Sequence, residues 1–139
     1  MVVGGRPYDA HRELELIFGE LTGDICICDP YIGDTTLDRL ELLSAINSVR
    51  FLTQRNQANP TKFDSFKAQF TNFEFAQIAQ VLHDRYILTG DSITLLGHGI
   101  KDIGKKDSFI ISMDNSVAED LLMVSKNKFD EHWRSAAKI

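Results

Sequence analysis

The chain has 139 residues, 43% of them hydrophobic and 25% charged, and a formal net charge of −5. This size and composition are typical of one globular domain and exclude a disordered or fibrous protein. The acidic balance argues against a protein that coats nucleic acid with its whole surface. The longest apolar runs fall far short of the roughly 20 residues of a membrane-spanning helix, and no signal peptide pattern opens the chain. We therefore expect a single cytoplasmic domain over residues 1–139.

The first half of the chain predicts alternating helices and strands. Apolar residues at helical spacing predict a first helix over residues 8–21, with Asp9 as its N-cap. The run "DICICD" predicts a strand and "DTTLDRLELLSAI", residues 34–46, an amphipathic helix. "SVRFLTQ" predicts a second strand, and Asn59 followed by Pro60 marks the start of a third helix.

The second half predicts four more strands and a long helix. The strands are "FEFAQIA", "HDRYILTG", "DSITLLGH" and "SFIISM", with a tight hairpin turn at Gly90 and Asp91. The last segment, 115–139, predicts a helix capped by Asn115 or by Ser116 in a capping box. Together the elements predict an α/β fold, a mixed sheet of about six strands with helices on both faces.

The cysteines and histidines indicate no metal site. Cys26 and Cys28 are two residues apart, a spacing that puts both side chains on one face of a strand and rarely permits a disulfide, so we expect buried, reduced thiols. Metal sites need cysteines or histidines at recognisable spacing, which this chain lacks. We therefore expect no metal and no other cofactor. The four histidines are His11, His83, His98 and His132.

Polar residues follow the first two predicted strands at their carboxyl ends, where ligands bind in sheets of this kind. These residues are therefore the first candidates for a site. An alternative is that Asp29 only ends a strand and that Asp34 caps the next helix. The candidates are Asp29, Tyr31, Thr53, Gln54 and Arg55.

The order of four stretches, "CDPYIGDTTLDRLELL", "VRFLTQ", "HDRYIL" and "GHGIKDIGKKDSFI", resembles a phospholipase D-like domain. That superfamily carries a His-x-Lys-x4-Asp motif. This chain is similar to a variant with His-Asp-Arg in its place, found in prokaryotic domains and in the C-terminal domain of MIT-domain proteins. The resemblance covers residues 13–134 and implies a single phospholipase D-like half.

The resemblance implies roles for two residues. His83 matches the histidine that attacks phosphorus, and Arg85 matches the lysine that neutralises phosphate oxygens. We expect both on one face of a strand, because they are two residues apart. Two copies of the motif make one site in the catalytic members, so the resemblance also implies a homodimer. The alternative is that His83 is a structural histidine, hydrogen-bonded to Asp84, Asp91 or Tyr31.

The chain departs from the motif in three places. Arginine replaces the motif lysine, which retains the charge but not the geometry. Gly90 stands where the motif has aspartate, and Asp91 follows one residue later, so Asp91 faces the site only if a bulge restores the register. "GHGIKD" replaces the usual Gly-Ser-x-Asn segment, and His98 and Lys101 are possible substitutes for its polar groups.

Basic residues accompany the motif and the second strand. If the loops converge, they form a positive patch on an acidic protein; the alternative is a scattered, solvated surface. In "GKKD", Gly104 lets backbone amides approach an anion, and Lys105 and Lys106 follow it. The basic residues of the expected patch are Arg50, Arg55, Lys62, Lys67, Arg85, Lys101, Lys105 and Lys106.

These observations predict a domain that binds phosphodiesters. Nucleic acid is the expected partner, with a possible metal-independent phosphodiesterase activity through a phosphohistidine at His83 in a homodimer. The alternative is an inactive module, which binds anionic phospholipid head groups or a protein partner as one part of a larger protein. Phe129 and Trp133, four residues apart in the last helix, are expected in the core rather than at a membrane.

Overall fold

A seven-stranded mixed sheet forms the centre of the computed structural model, which describes residues 1–43 and 47–139. The strands are β1 (Asp24–Cys28), β2 (Tyr31–Ile32), β3 (Ser48–Thr53), β4 (Arg55–Asn56), β5 (Phe73–Gln77), β6 (Tyr86–Leu88), β7 (Ser92–Leu96), β8 (Ile110–Asp114) and β9 (Ala137–Lys138). The helices are α1 (Pro7–Glu20), α2 (Asp34–Leu40), α3 (Pro60–Gln69) and α4 (Asn115–Ser135).

The strand order of the large sheet is β8-β7-β6-β1-β3-β5-β9. β1, β3 and β5 are parallel, whereas β6 runs antiparallel to β1 and continues into antiparallel β7 and β8. β2 and β4 form a separate two-stranded ladder. Because β6 is antiparallel to β1, the residues that precede β6 lie at the carboxyl end of β1, which is the edge where ligands bind in parallel sheets.

Alternate residues of each central strand pack on opposite faces of the sheet. On β1, Ile25 and Ile27 belong to one buried cluster with residues of α1, α2 and α3, whereas Cys26 and Cys28 belong to a second cluster with α4. This two-residue period is the pleat of a strand that is buried on both faces. The α/β class and the helices on both faces are thus confirmed, as are the buried free thiols.

Helix α3 begins as the sequence predicts, but the starts of two other helices differ. The Asn59 side chain accepts hydrogen bonds from the backbone N–H groups of Thr61 (3.0 Å) and Lys62 (3.2 Å), which is an N-cap. Asp9 lies inside the first turn of α1, where it pairs with Arg6 at 2.7 Å. Asp114 caps α4 by accepting from the Ser116 N–H at 3.1 Å, so the predicted caps of α1 and α4 were wrong.

The chain's last residues form a strand that the helical pattern did not reveal. α4 ends at Ser135, and β9 pairs antiparallel with β5, which makes the sheet one strand wider than expected. The predicted helix over 34–46 is shorter: α2 ends at Leu40, and the predicted place of Ile46 on its apolar face lies outside the described residues. No helix within the described ranges is both long and apolar enough to cross a membrane.

Candidate functional site

His83, Asp84 and Arg85 lie in a segment without regular secondary structure that precedes β6, at the carboxyl end of β1. The predicted strand over residues 83–90 is thus too long, because β6 begins only at Tyr86. His83 and Asp84 are exposed, and Arg85 is half-buried. His83 and Arg85 therefore do not share the face of a strand, but both line the same cavity.

That cavity, which we call the His83 cavity, has a volume of about 400 Å³. The segment before β6, the start of β6, the end of β7, the residue before β8 and helix α4 all contribute to its lining. Most of its wall is apolar, and the polar groups come from the segment before β6 and from α4. The lining residues used below are His83, Arg85, Phe109, Leu121, Val124, Ser125 and Lys128.

Arg85 is held at two atoms and retains unused donors. Its backbone oxygen accepts from the Leu96 N–H at 3.0 Å, which extends the β6–β7 pairing by one residue. Its Nη1 approaches the backbone oxygen of His83 at 3.5 Å. Its Nε is buried without a hydrogen-bond partner among the described residues. An unsatisfied buried donor is destabilising, so the position of Arg85 beside the cavity is held at a cost in stability.

Asp29 follows β1 and is completely buried. Its carboxylate accepts from the backbone N–H groups of Tyr31 (3.2 Å) and Ile100 (2.8 Å), and thereby attaches the loop after β7 to the end of β1. Burial raises the pKa of Asp29, an effect that the two hydrogen bonds and the charge of Arg85 only partly offset. Gly99 permits this contact, because a Cβ there would lie 3.1 Å from Oδ1 of Asp29.

Thr53 and Arg55 serve the turn that follows β3. Thr53 is fully buried, and its hydroxyl donates to the backbone oxygen of Arg55 at 3.4 Å. Tyr31 and Arg55 are partners in the β2–β4 ladder. These residues, together with Gln54, do lie at the predicted edge of the sheet, but they do not line the His83 cavity.

Asp91 lies at the opposite end of the sheet from His83. Gly90 and Asp91 form the predicted tight turn between β6 and β7, closed by a hydrogen bond from the Thr89 N–H to the Ser92 oxygen at 3.0 Å. The Asp91 carboxylate accepts from the Thr89 hydroxyl at 3.0 Å. No bulge returns Asp91 to the site, because β6 carries the chain from the carboxyl end of β1 to its start.

The expected positive patch is not assembled. Lys62 pairs with Asp38 at 2.7 Å and Lys67 approaches Asp64 at 3.7 Å. Arg50 lies on β3 beside Cys26 of β1, and its guanidinium contacts Cys26 Sγ at 3.1 Å and covers the Phe129 ring at 5.4 Å. Local pairing therefore consumes much of the positive charge that the sequence places near the motif.

The loop after β7 forms a separate, smaller cavity of about 210 Å³. Three predicted site residues, His98, Lys105 and Lys106, line it together with Asp102. Lys101 and Lys105 both contact the Asp102 carboxylate, at 2.9 and 3.4 Å. Asp102 thus neutralises part of the lysine charge, and Gly104 packs against Ala10 of α1, so the role of "GKKD" in anion binding stays a prediction.

Sequence reasoning missed the contribution of α4 to the His83 cavity. Leu121, Val124, Ser125 and Lys128 recur at helical spacing and form one stripe of α4. Their spacing in the sequence could have revealed the stripe, but not which cavity it lines. Nowhere in the described ranges do three His, Cys, Asp or Glu side chains gather closely enough to hold a metal ion.

Two solved structures match this architecture over almost their whole length. NucT from Helicobacter pylori superimposes with a TM-score of 0.73 at 9% identity, covering 100% of this chain and 96% of that one. Nuc from Salmonella typhimurium, a phospholipase D family member, superimposes with a TM-score of 0.70 at 14% identity and the same coverage. The chain has a phospholipase D-like fold.

A third solved structure matches this chain over about half of its own length. TrmBL2, an archaeal chromatin protein, matches with a TM-score of 0.58 at 11% identity, covering 100% of this chain and 52% of that chain. No protein-family model matches the sequence, and neither does any curated protein. The resemblance inferred from the motif is thus confirmed at the level of the fold, while the roles of His83 and Arg85 stay predictions.

Proposed function

We propose that this protein is a phospholipase D-like domain that binds phosphodiesters of nucleic acid and hydrolyses them, without a metal ion, through His83 in a homodimer. The observation that carries the proposal is the His83 cavity, in which an exposed histidine and a half-buried arginine lie together at the carboxyl end of β1. A nucleophile and a cation for the phosphate oxygens are the first two requirements of phosphodiester cleavage.

In the proposed reaction, an imidazole nitrogen of His83 attacks phosphorus. A P–N bond forms while the P–O bond to the leaving group breaks, and the leaving oxygen takes a proton from His83 of a second copy. That second imidazole then takes a proton from water, whose oxygen attacks phosphorus and breaks the P–N bond. The products are a phosphomonoester, an alcohol and the free enzyme.

A surface of exposed apolar side chains supports the second copy as partner. It borders the His83 cavity and consists of edge-strand and helix residues, which soluble monomers rarely expose together. In a two-fold dimer the same patch packs against itself, so the His83 cavities on its margin would be brought towards each other. We call it the apolar surface: Ile111 (46% exposed), Val117 (78%), Leu121 (42%) and Val124 (61%).

Nucleic acid is the favoured ligand because the cavity combines cations with an exposed aromatic ring. Phe109 packs over Gly97, where a Cβ would lie 2.9 Å from the ring. This contact fixes the position of the ring, while about half of the residue stays exposed to solvent. Unstacked bases bind to such rings next to a phosphate-binding cation. The chromatin protein TrmBL2, which matches this fold, shows a novel mode of DNA binding, and that is consistent with this ligand.

An inactive binding module is the second candidate. The position of Asp91, far from His83, favours it, as does the replacement of the motif's Gly-Ser-x-Asn segment. Such a module would hold anionic phospholipid head groups or a protein partner with the same cations. Anionic liposomes should then retain the protein, and Arg85→Ala should release it. Retention that is lost only at high salt, with no effect of Arg85→Ala, would indicate nonspecific attraction instead.

The activity is tested by cleavage of a generic phosphodiester and of single- and double-stranded DNA in excess EDTA. His83→Ala should reduce the rate by about a thousandfold or more, since the nucleophile is removed. His11→Ala, which alters an exposed histidine of α1, should leave the rate unchanged. Cleavage that persists in His83→Ala would refute the His83 mechanism.

The dimer is tested by the molar mass in solution. Val117→Glu introduces a charge into the apolar surface and should convert dimer into folded monomer with loss of cleavage. Leu16→Glu places the same charge at an apolar residue of α1 that is 63% exposed and should change neither. A wild-type monomer that still cleaves would contradict the shared site.

A further inference from the structure

Within the motif, only Arg85 brings a permanent positive charge to the His83 cavity. Arg85 stands at the motif's lysine position, and its Nη1 is turned back towards the His83 backbone oxygen. The polar residues that normally follow the motif are replaced by "GHGI". The two non-bridging oxygens of a phosphodiester share a full negative charge, so a second donor group from another element would complete their coordination.

The lysines of the chain differ in whether they are free to bind an anion. Most have a carboxylate within 4.0 Å: Lys62, Lys67, Lys101, Lys105 and Lys138. Lys126 donates to the Gly90 backbone oxygen at 2.9 Å. Within the described residues, Lys106 and Lys128 have neither kind of partner, and of these two only Lys128 lines the His83 cavity.

Lys128 reaches the cavity together with a hydroxyl. Ser125 and Lys128 are three residues apart on α4, so their side chains share a face of the helix, and both line the His83 cavity together with His83 and Arg85. α4 packs across β6, β7 and β8, which makes it a fixed element rather than a mobile loop. The helix thus contributes one cation, Lys128, and one hydroxyl donor, Ser125, to the His83 cavity.

We propose that Lys128 and Ser125 bind the non-bridging phosphate oxygens together with Arg85. This assignment rests on the proposed function and extends it to two residues outside the motif. The lysine of α4 supplies the compact charge that the arginine of the motif does not, and the serine supplies a hydroxyl donor where the Gly-Ser-x-Asn segment is absent.

The test is the binding of a labelled single-stranded oligonucleotide in the His83→Ala background, where the probe is not consumed. Lys128→Gln should weaken binding by about three- to tenfold and lower the slope of log K against log salt by about 0.7, the value for one phosphate contact on a single strand. Ser125→Ala should weaken binding less, and Lys128→Arg should retain most of it.

Lys126→Gln is the matched control. It removes the same charge from the same helix, but Lys126 lines the cavity at the start of β1 instead. Its affinity and salt slope should match those of the parent protein within about twofold, since a charge outside the binding cavity acts only through screened solvent.

The outcomes separate the two proposals. If Arg85→Ala weakens binding while Lys128→Gln behaves like Lys126→Gln, the role of Lys128 is overturned and the phosphodiester site stands. Equal weakening by Lys128→Gln and Lys126→Gln would also overturn it, as a general charge effect. If neither the parent protein nor any variant binds the probe, or Arg85→Ala has no effect, the proposed function fails and the assignment fails with it.

Discussion

Gly104→Ala should destabilise the protein through two separable effects. Gly104 has φ = +95°, which costs an alanine about 1–2 kcal/mol. An added Cβ would also lie 2.5 Å from the Cβ of Ala10, which is completely buried in α1. Overpacking of this kind costs about 1–3 kcal/mol. Together the two effects should lower the free energy of unfolding by about 2–5 kcal/mol. The second effect arises because the loop that carries "GKKD" packs directly against α1.

Urea unfolding followed by circular dichroism measures the effect, and two further variants apportion it. Gly23→Ala has the same kind of positive φ (+82°) but open space around the added Cβ, so it should show only the first effect, about 1–2 kcal/mol. Ala10→Gly should restore part of the loss in the Gly104→Ala background, since it removes the opposing methyl group. If Gly104→Ala costs no more than Gly23→Ala, the contact between the loop and α1 is not tight and the reasoning is refuted.

Three further predictions concern buried groups. Burial raises the pKa of Cys28 to about 12 and also raises that of Cys26, so neither thiol should react with iodoacetamide at about pH 8; both should react in denaturant, and rapid native labelling would contradict their burial. Because burial raises the pKa of Asp29, its carboxyl stabilises the fold most below its ordinary pKa of about 4 and less as pH rises through the raised value. The stability of the wild type relative to Asp29→Asn should therefore fall from about pH 4 upwards, whereas a rise would indicate a stabilised carboxylate. Phe129→Ala should lower the free energy of unfolding by about 3–5 kcal/mol, since it empties a fully buried site and removes the ring under Arg50; a loss below about 1 kcal/mol would show that the site collapses.

Local patterns in the sequence predict most of the elements. The apolar run of β1 and the alternation in β7 identify strands because their side chains must be buried on the faces of a sheet. Asn59 before Pro60 identifies the start of α3 because that pair satisfies the first free N–H groups of a helix at once. The tight turn at Gly90 follows from the same kind of local rule.

For the ends of several elements, the local sequence is compatible with more than one structure. Asp114, rather than Asn115 or Ser116, caps α4, and the chain's end leaves the helix to pair with β5 as β9. The strand predicted over residues 83–90 included His83 to Arg85, yet β6 begins only at Tyr86, where pairing with both β1 and β7 is available. The cap is a local contact, but the start of β6 and the formation of β9 depend on partners that are distant in the sequence.

The sequence by itself determined the class of the fold, the buried thiols and the motif residues, since these depend on side-chain period and on residue type. Only the tertiary structure decided which polar groups meet. Asp91 is eight residues from His83 but lies at the other end of the sheet, because β6 runs antiparallel to β1. Lys128 is far from His83 in the chain but lines the same cavity, because α4 packs across β6, β7 and β8. Strand direction and helix packing are set by burial of the whole core, and no local pattern contains them.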